Sequence, residues 1–88
     1  MKVRNVISSL GNAVANQFII ETDEGRFFQS YDSMLSFVPN GNNEKVRLGK
    51  NWSYSPTTSK YRSKFLGETT KETQKKLDSG EYILDNEL

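Results

Sequence analysis

The segment Asn51–Gly67, NWSYSPTTSKYRSKFLG, constrains the fold of this chain more than any other stretch. Ser55 can accept a hydrogen bond from a free helix amide, and Pro56 fits the first helical position, where no amide bond is lost. Tyr61 and Phe65 then fall one turn apart on one face with Leu66 beside them, and Gly67 supplies a stop. A helix is predicted from there to Gly67. The same segment places Trp52, Tyr54, Tyr61 and Phe65, four of ten aromatics, among Lys50, Lys60, Arg62 and Lys64. Rings interleaved with cations serve either a helix docked on a small core or a surface that receives a polyanion or an acidic partner.

A chain of 88 residues with 34% hydrophobic residues and a mean hydropathy of −0.72 forms one thin-cored domain, residues 1–88, with the tail 85–88 expected to be mobile. Aromatics must supply much of its buried area, which assigns Trp52, Tyr61 and Phe65 to anchoring the helix. The functional alternative leaves Trp52 or Tyr54 outside, beside Lys60 and Arg62, as a stacking and phosphate-contacting surface.

Cysteine and histidine are both absent. Disulfides, thiolate metal sites, cysteine nucleophiles and histidine-based triads are thereby excluded, as is the commonest zinc ligand. The hydroxyls at Ser53, Ser55, Thr57, Thr58 and Ser59 lack the glycine and lysine framework of a phosphate-binding loop and are read as caps and turns. Glu21, Asp23 and Glu24 lack the spacing of a calcium loop, and Glu68 with Glu72 resembles only half of a carboxylate metal site. No catalytic residue, metal or cofactor is expected, and the chain is read as no enzyme.

The net charge of +1 hides an asymmetry. Residues 44–76 carry nine Lys and Arg against three Asp and Glu, whereas residues 77–88 carry four acids and no cation. Such a division points to a polyanionic partner, or to a tail that folds back on the basic middle. No apolar run approaches the ~20 residues that span a bilayer, so no membrane partner is expected and a cytoplasmic location is.

Residues 2–9 read as a weak strand, Gly11-Asn12 as a turn, and 14–22 as a strand. Asp23-Glu24-Gly25 reads as a hairpin loop in which Gly25 supplies a left-handed residue, and 26–31 as the returning strand. Residues 33–38 suit a third strand or a helical turn. Pro39 to Asn43 is a loop, and Glu44 to Leu48 is expected to pair with 33–38. A second helix is predicted over 69–79 with Gly80 as its stop, and 81–84 suits an edge strand or an extended segment. The fold class is therefore α+β, a small antiparallel sheet of four or five short strands with one or two C-terminal helices on one face.

Several runs carry a resemblance: F-Q-S-Y at Phe28–Tyr31, K-V-R-L at Lys45–Leu48, W-S-Y-S-P-T-T-S-K-Y at Trp52–Tyr61, F-L-G-E-T-T-K-E-T at Phe65–Thr73 and S-G-E-Y-I-L at Ser79–Leu84. Together they resemble a family of small uncharacterised proteins carried by phages and other mobile elements of bacteria. The resemblance leaves the first 27 residues outside and implies a mobile-element accessory protein, with no functional residues to carry over.

The leading expectation is a binding module acting as a stoichiometric modulator or inhibitor of host machinery, such as a nucleic-acid-handling or defence complex, in the manner of an anti-CRISPR protein. Direct nucleic-acid binding by the basic helices is the alternative, and a structural virion component the third. A homodimer is also compatible with so thin a core. The candidate partner-binding residues are Lys50, Trp52, Tyr54, Lys60, Arg62, Lys64, Lys71 and Lys75. Lys60 with Lys64, and Lys71 with Lys75, are one turn apart, so each helix presents a two-cation ridge whose repulsion an anionic partner would offset.

Overall fold

The computed structural model describes residues 1–41 and 43–88. Asn42, in the loop expected between Pro39 and Asn43, lies outside the described residues. Strands β1 (Lys2–Ile7), β2 (Ala13–Glu21), β3 (Gly25–Ser30), β4 (Ser33–Pro39) and β5 (Arg47–Leu48) form an antiparallel meander. Helices α1 (Pro56–Leu66) and α2 (Thr70–Ser79) follow, and β6 (Ile83–Leu84) returns to pair parallel with β5. The α+β class is as expected. The sheet has six strands rather than four or five, because the chain after α2 runs back along β5 for two residues. No helix among the described residues is long and apolar enough to cross a membrane.

Register explains how so few aliphatic residues make a core. Directly opposed residues share a face, and successive residues along a strand point to opposite faces. Arg4, Ile19, Phe28, Ser36, Leu48 and Leu84 form one row of cross-strand neighbours on the helix side. The next row, Val3, Ile20, Phe27, Phe37, Arg47 and Ile83, lies on the other face. Phe27 and Phe37 pack there with ring centroids 4.5 Å apart.

On the helix side Val6, Phe28 and Leu35 form the buried centre, with Val14, Ile19, Tyr61 and Phe65 packed against it. Phe65 stacks on Phe28 at 5.7 Å between centroids, and a buried hydrogen bond of 3.0 Å links Ser30 to Thr58 of α1. These two contacts dock α1 on β3. The irregular register between Phe28 and Gln29 leaves Leu35 with no direct cross-strand partner, at the point where β4 bends over the core.

The helix ends follow the expected chemistry. Ser55 accepts from the amide of Thr58, Pro56 opens α1, and Gly67 closes it at φ 72°. Thr69 and Glu72 form a reciprocal capping box at the start of α2. Two local expectations are corrected. Of Glu44–Leu48 only Arg47 and Leu48 pair with β4. Gly25 has a φ of 158°, well away from the left-handed values of Gly67 and Gly80. The positive φ and the lack of space both require glycine there, since a Cβ would collide with the carbonyl of Val38 and come within 2.7 Å of the Phe37 ring.

Candidate partner-binding groove

Loop 49–54 and α1 sort the aromatic and basic segment into an inside and an outside. Trp52 is 8% exposed and Arg62 fully buried, so neither offers a surface to a partner. The Arg62 guanidinium lies 4.8 Å from the Trp52 ring centroid and donates to the Trp52 carbonyl. It donates also to Thr70 Oγ1 at 2.6 Å and to Ser59 Oγ at 3.3 Å. Burial lowers its pKa, an effect partly opposed by the nearby Glu68 carboxylate. Arg62 therefore ties loop 49–54, α1 and the first residue of α2 together. This corrects its assignment to the partner-binding set, and physically it follows from the planar fork reaching several acceptors at once.

The remaining candidates are exposed but separated. Lys50 lines a cleft with Asp32, Asn86 and Glu87. Tyr54 is 54% exposed. Lys71 and Lys75 lie exposed on α2. Lys60 and Lys64 alone share a concave surface, with Tyr61, Ser8 and Ser9. Lys64 donates to the carbonyl of Ile7 at the end of β1, and the Lys60 ammonium sits 5.4 Å from the Tyr61 ring centroid.

That surface continues inward. Tyr61, Lys64 and Ser8 also line a cavity of about 360 Å³ between β1, β2 and α1, where Arg4, Arg26 and Phe65 join them. The Arg26 guanidinium lies 5.4 Å from the centroid of Phe65. The whole groove thus carries Arg4, Arg26, Lys60 and Lys64 with two aromatic rings, and no carboxylate among its lining residues. Arg4 and Arg26 were missed as candidates by sequence reasoning. Strand alternation carried the signal, since Arg26 shares a face with Phe28 and Ser30.

The acids lie elsewhere. Asp85 pairs with Arg47 at 3.0 Å, and Glu68 holds Lys76 at 2.6 Å with Glu81 at 3.8 Å on the other side. Glu72 is engaged by the Thr69 amide at 3.0 Å. Glu24, Glu44, Asp85 and Glu87 gather around a second hollow that includes Phe27 and Phe37, on the face away from the helices. Among the described residues, no carboxylate pairs with Lys60, Lys64, Lys71 or Lys75. The tail does meet the basic middle, at Arg47, but it does not reach the groove, where Glu21 pairs with Arg4 while Arg26, Lys60 and Lys64 have no ion-pair partner among the described residues. Nor do the described residues gather three acidic side chains around a metal position.

The sequence model of the family of unknown function DUF8033 matches residues 1–81. The chain belongs to that family. The DUF8033 match takes in the first 27 residues, and with them Arg4 and Arg26 of the groove. Comparison with curated proteins and with solved structures finds no match.

Proposed function

We propose that this DUF8033 protein is a non-enzymatic binding module of a phage or other mobile element, acting in the bacterial cytoplasm as a stoichiometric modulator of a host nucleic-acid-handling or defence complex. Its docking surface is the groove along α1, with Lys60 and Lys64 as the exposed contacts. The observation that carries this reading is the run of four cations and two rings with no lining carboxylate. Among the described residues, Lys71 and Lys75 do not line the groove and are left outside this docking surface.

Charge separation supports an oriented protein partner over a bare polyanion. The groove is basic, the opposite hollow is acidic, and the net charge is only +1. An acidic partner surface meets the groove while the acidic side faces away, which favours one docking orientation and speeds encounter. Tyr61, set between Lys60 and Lys64, favours a second reading, in which the groove tracks a single nucleic-acid strand.

Affinity capture from host lysate, run with and without nuclease, separates the two. A nuclease-resistant partner retained at moderate salt and lost from a Lys60→Glu variant supports the modulator. Capture that vanishes with nuclease and falls steeply with salt supports the strand reading. Capture unchanged by Lys60→Glu removes both.

A further inference from the structure

The inner end of the groove has the dimensions and chemistry of a small-molecule site. Its volume of about 360 Å³ lies within the range of roughly 300–1,000 Å³ in which such ligands bind. Val6, Ile19 and Phe65 give it an apolar floor, and Arg4, Arg26 and Lys64 stand around it with no acid among the lining residues. We infer that this cavity binds a phosphate monoester carried on a flat aromatic body, the chemistry shared by a nucleoside monophosphate and the 5′-phosphorylated end of a strand.

Charge selects the head group. Glu21 pairs with Arg4 at 3.1 Å and lies directly across from Arg26. Three lining cations against that one neighbouring carboxylate leave an excess of two positive charges. A phosphate monoester brings about −1.5 to −2 near neutral pH, whereas a carboxylate brings one. Arg26 supplies the recognition geometry. Its guanidinium carbon sits over the Phe65 ring, and among the described residues its donors carry neither an ion pair nor a side-chain hydrogen bond. A planar fork with free donors at the mouth of a cavity suits bidentate phosphate binding. Tyr61, half-buried and lining the same cavity, offers the ring against which an aromatic body lies.

The inference goes beyond the docking proposal and stands without it, because it rests on Arg26 and the cavity rather than on the exposed Lys60. The test titrates the full chain with adenosine monophosphate, adenosine, inorganic phosphate, and a short single-stranded oligonucleotide with or without a 5′-phosphate. Amide shifts and calorimetry give the readout. Adenosine monophosphate is expected to shift Val6, Ile19, Tyr61 and Phe65, and to bind about tenfold or more tightly than adenosine or inorganic phosphate alone. Arg26→Gln is expected to weaken it by about tenfold or more at an unchanged melting temperature, with Arg26→Lys in between. Preference for the phosphorylated strand over the nucleotide assigns the strand end, equal affinity assigns the free nucleotide, and both uphold the site. Adenosine binding as tightly as its monophosphate, Arg26→Gln binding as tightly as wild type, or no phosphate ester bound at millimolar concentration overturns it.

Discussion

The Arg62 guanidinium lies over the Trp52 ring, 4.8 Å from its centroid, and donates to the main-chain carbonyl of that same residue. A cation and a ring suited to a binding surface are thus joined inside the molecule, at the meeting point of loop 49–54 with both helices. Arg62 lacks a carboxylate partner among the described residues, and its Nε is left without an acceptor. Its hold comes from the ring and from neutral oxygens.

Trp52 is the single tryptophan, which makes the junction directly observable. Native emission is expected to be blue-shifted and slow to quench with iodide. Trp52→Ala is expected to cost about 3–5 kcal/mol, measured by denaturant unfolding. Arg62→Lys, which keeps the charge but cannot span from the Trp52 carbonyl to Thr70, is expected to cost roughly 1–3 kcal/mol. Stability equal to wild type in Arg62→Lys would show that the fork is not needed.

Gly25 tests the packing of β3 on β4. Gly25→Ala places a methyl against the Val38 carbonyl and the Phe37 ring, and is expected to lose about 1–3 kcal/mol. Gly41→Ala, where nothing stands within 4 Å and φ is not positive, is the unstrained control and is expected to be near neutral. Equal melting temperatures for the two variants would refute the close approach.

Glu68 should govern part of the acid limb of stability. Its side chain is only 5% exposed. Burial pushes its pKa up, but hydrogen bonds from Lys76, Tyr82 and Thr73 outweigh burial, and the net direction is below the ordinary 4.5. A lowered folded-state pKa means that the unfolded chain binds the proton more readily. The stabilisation is therefore full above 4.5 and lost as pH falls through the folded value. Glu68→Gln is expected to be less stable at neutral pH and to flatten the fall below 4.5, while an acid limb as steep as wild type would remove Glu68 from the account.

The capping box at α2 gives a smaller, local test. Thr69→Ala removes the acceptor for the Glu72 amide and is expected to cost about 1 kcal/mol, read as a lower midpoint of thermal unfolding.

Local chemistry made most elements legible in the sequence. Ser55, Pro56, Gly67 and Gly80 each act within their own turn, and both helices end where these residues place the ends. The Thr69–Glu72 capping box is also a local signal, Thr-x-x-Glu ahead of the helix. Strand β6 was not legible as a paired strand, since two residues acquire a partner only when the whole sheet is in place. Arg62 reads as surface in the sequence because charged side chains seldom lie fully buried, and no local pattern announces the cluster of acceptors around it. The groove was half visible. Lys60 and Lys64 follow from helical spacing, whereas Arg4 and Arg26 reach them only through the β1–β2–β3 register and the docking of α1 by Phe65 on Phe28.

The central claim is that the groove of α1, and not the cationic ridge of α2, receives the anionic partner. The most direct measurement compares two charge reversals, Lys60→Glu and the pair Lys71→Glu with Lys75→Glu, for affinity toward the partner captured from host lysate, with melting temperatures as controls. Both variants are expected to keep stability within about 0.5 kcal/mol, as exposed positions do. The account predicts that Lys60→Glu weakens binding by about tenfold or more while the α2 pair stays near wild type. Wild-type affinity in Lys60→Glu together with loss in the α2 pair would contradict it.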